Sequence, residues 1–304
     1  MPSRGGEPRD PERAPVADDA AAAAARTRFA LDQLALPQRL FAPSEAARAT
    51  YERAGVPSGR IRVVENGIDC GALTSAVRAA RERNARADAL VHLGFLGTAL
   101  PSKGALELAE ALLEAAVPGL VLDVHAALPP YHGDARYVQA LQALAARDAR
   151  IRLHGPYARS ELPRILAGLD GVAAPSRWHE VYGLTVREAR AAGLPVLVSD
   201  RGDLARVAEG GEAGLVVPAD DRAAWVAALR RFGTDAAARA RWSQRASTLR
   251  DVESMTLELE REYVAAIVEV TGRMPSLLHP IDVPPASAPP EPPRRGFLRR
   301  LFGA

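Results

Sequence analysis

From residue 60 to about 232, short apolar runs alternate with longer stretches of helical hydrophobic period. The runs 60–64, 90–96, 120–125, 151–155, 171–174, 196–198 and 214–218 have strand length and are rich in Val, Ile and Leu. Between the second and third, from Gly104 to about Ala116, apolar residues fall at 105, 108, 109, 112 and 113, a helical stripe. Further helices are predicted over 137–146, 160–167, 183–192, 220–231 and 235–247. Such alternation predicts an α/β fold built on a doubly wound parallel sheet of Rossmann-like type. Ahead of it come a helix over 20–36 stopped by Pro37, a strand at 40–44, and a helix capped by Ser44 that ends at Gly55. Behind it lies a long helix over 255–270.

The stretch 174–200 is the most informative. A loop carrying Trp178, His179 and Glu180 leaves the strand 171–174, and Tyr182-Gly183-Leu184 then starts a helix that Gly193 stops. With the following strand this is a βαβ unit, whose loop lies at the carboxyl end of a strand, where open parallel sheets bind ligands. Glu180 and Glu188 are separated by seven residues. A helix beginning near Gly183 puts Glu188 about one and a half turns in, while Glu180 faces the same crevice from the loop. The helix N-terminus between them has unpaired N–H groups suited to a phosphate. Two hydroxyl acceptors flanking an anion site fit a sugar, a diphosphate and a ribose; the same spacing also fits two solvated surface carboxylates.

A second loop, Gly97-Thr98-Ala99-Leu100-Pro101-Ser102-Lys103-Gly104, feeds the helix after the strand 90–96. Glycines and a lysine at a helix start suit a diphosphate cradle, and equally an exposed lysine. His154 reads as a packed histidine. No His, Cys or carboxylate cluster has metal-ligand spacing, so no bound metal is expected.

Composition narrows the class. Hydrophobic residues make up 48% and charged ones 25%, as in a globular protein. Thirty-nine basic residues against 37 acidic give no global pull toward nucleic acid. The single cysteine, Cys70, is read as lying in a turn; it excludes an internal disulfide framework and fits a reducing compartment. No apolar run approaches the roughly 20 residues of a spanning helix, and 1–19 has no signal-peptide core, so a cytoplasmic location is expected. Segments 1–19 and 273–304 are expected to be disordered. The latter is proline-rich and ends in arginines alternating with large apolar residues over 294–302. That end suits either one amphipathic turn against an anionic membrane, peripheral at its inner face, or a solvated tail.

The frame P-S-x-x-x-E-x-x-G-L-x-x-x-E-A-x-x-x-G-x-P-V, running from Pro175 to Val196, resembles the signature of retaining GT-B glycosyltransferases, specifically family 4 (group 1). The segment V-x-x-N-G-I-D at Val63 to Asp69 is similar to the link between that family's two domains, and Lys103-Gly104 to the end of its phosphate loop. The resemblance implies a GT-B C-terminal half that binds a nucleoside diphosphate sugar, UDP- or GDP-linked, and transfers its sugar with retention, with no bound cofactor. It assigns catalytic roles to Glu180 on the donor sugar and Lys103 on the diphosphate. Donor contacts are expected at Gly97, Thr98, Lys103, Gly155, Tyr182, Gly183, Leu184 and Glu188, the last holding the ribose. Thr98 stands where the family has arginine, and Ala205 where it often has glutamate.

The implied organisation is a mainly helical remnant of an N-terminal domain over 20–58, a donor-binding domain over 59–250, a crossover helix over 251–272, and the tail. The family's acceptor-binding half is then largely missing here, or comes from a second chain. Two functions follow: a transferase with an unidentified acceptor, or a non-catalytic nucleotide-sugar-binding or scaffolding module.

Overall fold

A computed structural model describes residues 20–83, 88–244 and 249–275. The expectations for 1–19 and for the basic end 294–302 lie outside the described residues, as does most of the tail.

The chain enters through helix α1 (Ala20–Leu34), strand β1 (Leu40–Ala42), helix α2 (Glu45–Arg53) and strand β2 (Ile61–Val63). β1 and β2 pair in parallel, Leu40 opposite Ile61, as a two-stranded sheet of their own. Ala42, Ala47, Val56 and Ile61 form a small core beneath it, with Leu31, Leu34 and Leu40 packed alongside. Ser44 caps α2 by accepting the Ala47 N–H at 3.1 Å.

Helix α3 (Cys70–Arg83) follows. It was not expected from the sequence, and it corrects the turn assigned to Cys70, which is its first residue. Its signals are short but present. The Asp69 carboxylate accepts the Ala72 N–H at 3.0 Å, and buried Leu73, Val77 and Ala80 recur at helical spacing.

The remaining strands make one six-stranded parallel sheet in the order β5-β4-β3-β6-β7-β8. They are β3 (Val91–Thr98), β4 (Leu120–Ala127), β5 (Ile151–Leu153), β6 (Gly171–Ala174), β7 (Val196–Ser199) and β8 (Gly214–Val217). The helices between them are α4 (Ala105–Ala115), α5 (Arg136–Arg147), α6 (Leu162–Ala167), α7 (Leu184–Ala191) and α8 (Leu204–Val207). Then come α9 (Arg222–Thr234), capped by Asp221, α10 (Ala236–Gln244) and α11 (Val252–Thr271).

Both sheet faces are covered. Leu93, Phe95, Leu122, Val124 and Leu197 meet α4, α5, α9 and α10 on one side. Leu96, Val172, Val196 and Val198 meet α3, α6, α7 and α8 on the other. This is the doubly wound arrangement the apolar runs predict: strands buried on both faces need no polar alternation. Phe232, completely buried, contributes about 1.5–3 kcal/mol by leaving water.

After β5 the chain returns across the sheet to place β6 beside β3, so the winding direction reverses between those two strands. Finally α11 crosses back to the N-terminal elements. Arg39 bonds to Glu262 at 2.6 Å and Glu269 at 3.0 Å, the Phe41 and Tyr263 rings lie 5.5 Å apart, and Val264 is buried. No helix of the described residues is long and apolar enough to cross a membrane.

Candidate functional site

At the reversal between β3 and β6, the loops leaving both strands meet. Gly97 and Thr98 close β3, and Gly97, at φ +129°, has open space where a side chain would project. The loop then tightens into a single 3-10 turn, Pro101–Lys103, ending at Gly104 with φ +74°. A Cβ on Gly104 would lie 2.3 Å from the Pro175 carbonyl oxygen, so only glycine lets the two loops touch. The Ser102 carbonyl accepts the N–H groups of Arg177 and Trp178 at 2.9 and 3.1 Å.

This knitting brings Lys103 to Glu180: Nζ lies 2.5 Å from Oε1. Ser176 Oγ donates to the same oxygen at 2.6 Å, and the Ser176 carbonyl accepts from Ser199 Oγ at 2.6 Å. The Glu180 main chain is pinned from the far side. Its carbonyl accepts the Asp203 N–H at 2.8 Å, and a Cβ on Gly202 would sit 2.0 Å from that carbonyl oxygen. Glu180 therefore stands on a loop fixed by its neighbours on both sides.

α7 starts after Gly183, which caps it in a left-handed conformation with no side-chain hydrogen bond. Its first N–H groups thus lack a side-chain cap, a polarity that favours anions. Leu184, the first helical residue, is exposed. One turn on, Glu188 is only 2% exposed. Its Oε1 pairs with the guanidinium of Arg159, from the 3-10 turn Arg159–Glu161. Burial pushes the Glu188 carboxyl up and Arg159 pulls it down. Gly155 follows β5 with φ +81° and open space beside it. Tyr157, two residues on, feels the charge of Glu188, which adds to burial in raising its phenol.

Tyr182 is held differently from its neighbours. Its side chain is buried, its hydroxyl donates to the Asn66 carbonyl, and the Arg187 guanidinium covers its ring at 3.5 Å. The Tyr182 side chain is thus occupied in packing, and only its main chain is left to face the loop. Arg187 in turn bonds Asp203, and both are buried. Sequence reasoning missed Arg159, Ser176, Arg187 and Asp203. Ser176 stands inside the framed motif, and Arg187, flanking Glu188 on a buried helix, breaks an apolar period.

Beside Tyr157 lies a histidine cluster on the α3 and α6 side of the sheet. Asp123, buried within β4, bonds His92 Nδ1 at 2.6 Å and His154 Nε2 at 2.7 Å. The His154 ring stacks on His125 at 4.3 Å, and His125 meets Tyr157 edge-on at 6.4 Å. Burial, with His154 next to it, lowers His125 to about 4 from 6.5. Between those values the unfolded chain binds the extra proton, so stability falls as pH drops from about 6.5 toward 4. His125→Asn will flatten that stretch of a Tm–pH curve; equal slopes for variant and wild type would refute it. Among the described residues, no group of three His, Cys, Asp or Glu could hold a metal ion.

Comparison with known proteins bears on the family and the fold. Residues 90–235 match the family described as glycosyl transferases group 1. The D-inositol 3-phosphate glycosyltransferases of Nocardia farcinica and Stackebrandtia nassauensis are each 32% identical, over 250 and 191 residues. These alignments take in 76% and 60% of this chain but 55% and 43% of the relatives. The chain spans about half the length of the curated relatives it matches. Among solved structures, Anabaena Alr3699/HepE, in complex with UDP and glucose, superposes with a TM-score of 0.68 at 22% identity. That match covers 79% of this chain and 66% of the other, and shows a shared fold.

Proposed function

We propose that this chain, whose residues 90–235 match the glycosyl transferases group 1 family, binds a nucleoside diphosphate sugar and serves its transfer with retention. The carrying observation is the pair of carboxylates on either side of the α7 N-terminus, Glu180 with Lys103 and Glu188 with Arg159.

In this reading the diphosphate lies at the first turn of α7. The uncapped N–H groups and Lys103 stabilise the negative charge that grows on it as the glycosidic bond breaks. The preorganisation is local: Lys103 is already held within reach of the loop by Glu180, so it need not be ordered when the donor arrives. Glu180, its main chain fixed by Gly202 and Asp203, orients the sugar through hydroxyl hydrogen bonds. Glu188 accepts from the ribose hydroxyls, and the segment 155–157 borders the base. Gly97, with open space beside it, gives the diphosphate an approach next to Thr98. The acceptor, and any second chain that brings it, lie beyond these residues. A non-catalytic nucleotide-sugar-binding module is the second reading, favoured by Thr98 in place of the family's phosphate-loop arginine.

A thermal-shift titration with UDP, GDP and ADP tests the donor site. Stabilisation by one of them identifies the base, and release of that nucleotide from its sugar donor separates the transferase from the binding module. No shift with any of the three refutes the donor reading.

A further inference from the structure

We infer that Arg159 is itself a donor-binding residue: it holds Glu188 in the ligand-free protein and passes to the donor's diphosphate when ribose hydroxyls replace it on that carboxylate. The inference rests on the donor reading above and adds to it a residue outside the framed motif.

The two partners of this ion pair are unequal. The Glu188 side chain is 2% exposed, whereas that of Arg159 is 69% exposed. Removing the arginine from Glu188 strands a charge that water cannot reach, while the arginine itself loses little. The pair therefore opens only when other donors reach Glu188, and a ribose diol brings two O–H groups.

Geometry gives the released arginine somewhere to go. From Leu184 to Glu188 the helix advances about 6 Å at 1.5 Å per residue, so an anion at the first turn of α7 lies within a swing of a long side chain. A guanidinium binds phosphate oxygens through two parallel N–H bonds, which a lysine cannot do. Lys103, a point charge, is held by Glu180 on the loop that leads into that turn. Thr98 closes β3 with no charge to offer, and Arg159 would supply a second cation from a different loop.

The exchange couples the two halves of the ligand. A nucleoside alone would expel Arg159 from Glu188 without giving it an anion. Pyrophosphate alone would draw Arg159 away and leave Glu188 buried and unpaired. A nucleoside diphosphate satisfies both groups at once, so its affinity exceeds what the two fragments predict separately.

Isothermal titration of the full chain tests this, using the tightest of UDP, GDP and ADP, the matching nucleoside, and pyrophosphate. Arg159→Met is expected to weaken the nucleoside diphosphate about tenfold or more, to leave the nucleoside within about twofold or tighter, and to abolish the coupling. Arg159→Lys should fall between. Diphosphate affinity within about twofold of wild type, or an equal loss for nucleoside and diphosphate, overturns the inference. A wild type that binds none of the nucleotides overturns the donor reading and this inference together, whereas an unchanged Arg159→Met beside a binding wild type overturns this inference alone.

Discussion

Replacing Asp203 with alanine is expected to cost the fold about 3–5 kcal/mol, the usual consequence of leaving one partner of a buried ion pair alone. The Asp203 side chain is 2% exposed and that of Arg187 is 1% exposed, on α7. Asp203 accepts from Arg187 Nη2, and its other oxygen accepts from Arg206 at 3.1 Å. The Arg187 Nε and Nη1 atoms have no hydrogen-bond partner, so no other hydrogen bond takes over when the carboxylate goes and only the Tyr182 ring still faces the charge. In a chain with this much ordered structure the loss amounts to a Tm drop of roughly 10 °C, read by calorimetry. Asp220→Ala is the control. Asp220 pairs with Arg177 and Arg201 but stands 56% exposed, where solvent screens the pairs and little stability goes with them. An Asp203→Ala variant as stable as the control would mean that water reaches Arg187. Adding Arg187→Met to Asp203→Ala should recover most of the loss, since apolar replacement of both members is often neutral.

Glu188→Ala is expected to act in the opposite sense, sparing the fold and removing the ligand. A nucleotide at 100 times its Kd stabilises its protein by about 2.7 kcal/mol, and the variant should show none of this. Ligand-free stability should change little. Arg159 is mostly solvated, and burial already works against the Glu188 charge. A thermal shift with nucleotide as large in the variant as in the wild type would remove Glu188 from the donor site.

The sheet was legible because its signal is local. Runs such as Leu120–Ala127 and Val196–Ser199 are buried on both faces, so most of their residues are apolar. α4 showed its stripe for the same reason: Leu108 and Leu112 are buried on one side. The two glutamates were legible through their spacing and their glycine-bounded helix, and the fold sets them at the strand-order reversal. What escaped was long-range or short-lived in sequence. α3 has three buried residues among several arginines. Arg159 finds Glu188 across 29 residues, and Arg187 is charged where periodicity asks for an apolar side chain; only the partner, Asp203, explains it. The bond from Tyr182 to Asn66, 116 residues away, was equally out of reach of a local reading.

The strand order has a mechanical side. β3, β4 and β5 come from one continuous stretch of chain and β6, β7 and β8 from the next, and the sheet joins them through the short β3–β6 ladder, Leu93 to Phe95 against Gly171 to Ala173. Lys103 belongs to the first stretch and Glu180 and Glu188 to the second. A nucleotide held by all three would lie across the seam like a strap. Pulling the two halves apart, or nicking the chain between them, should then become harder with every increase in nucleotide occupancy.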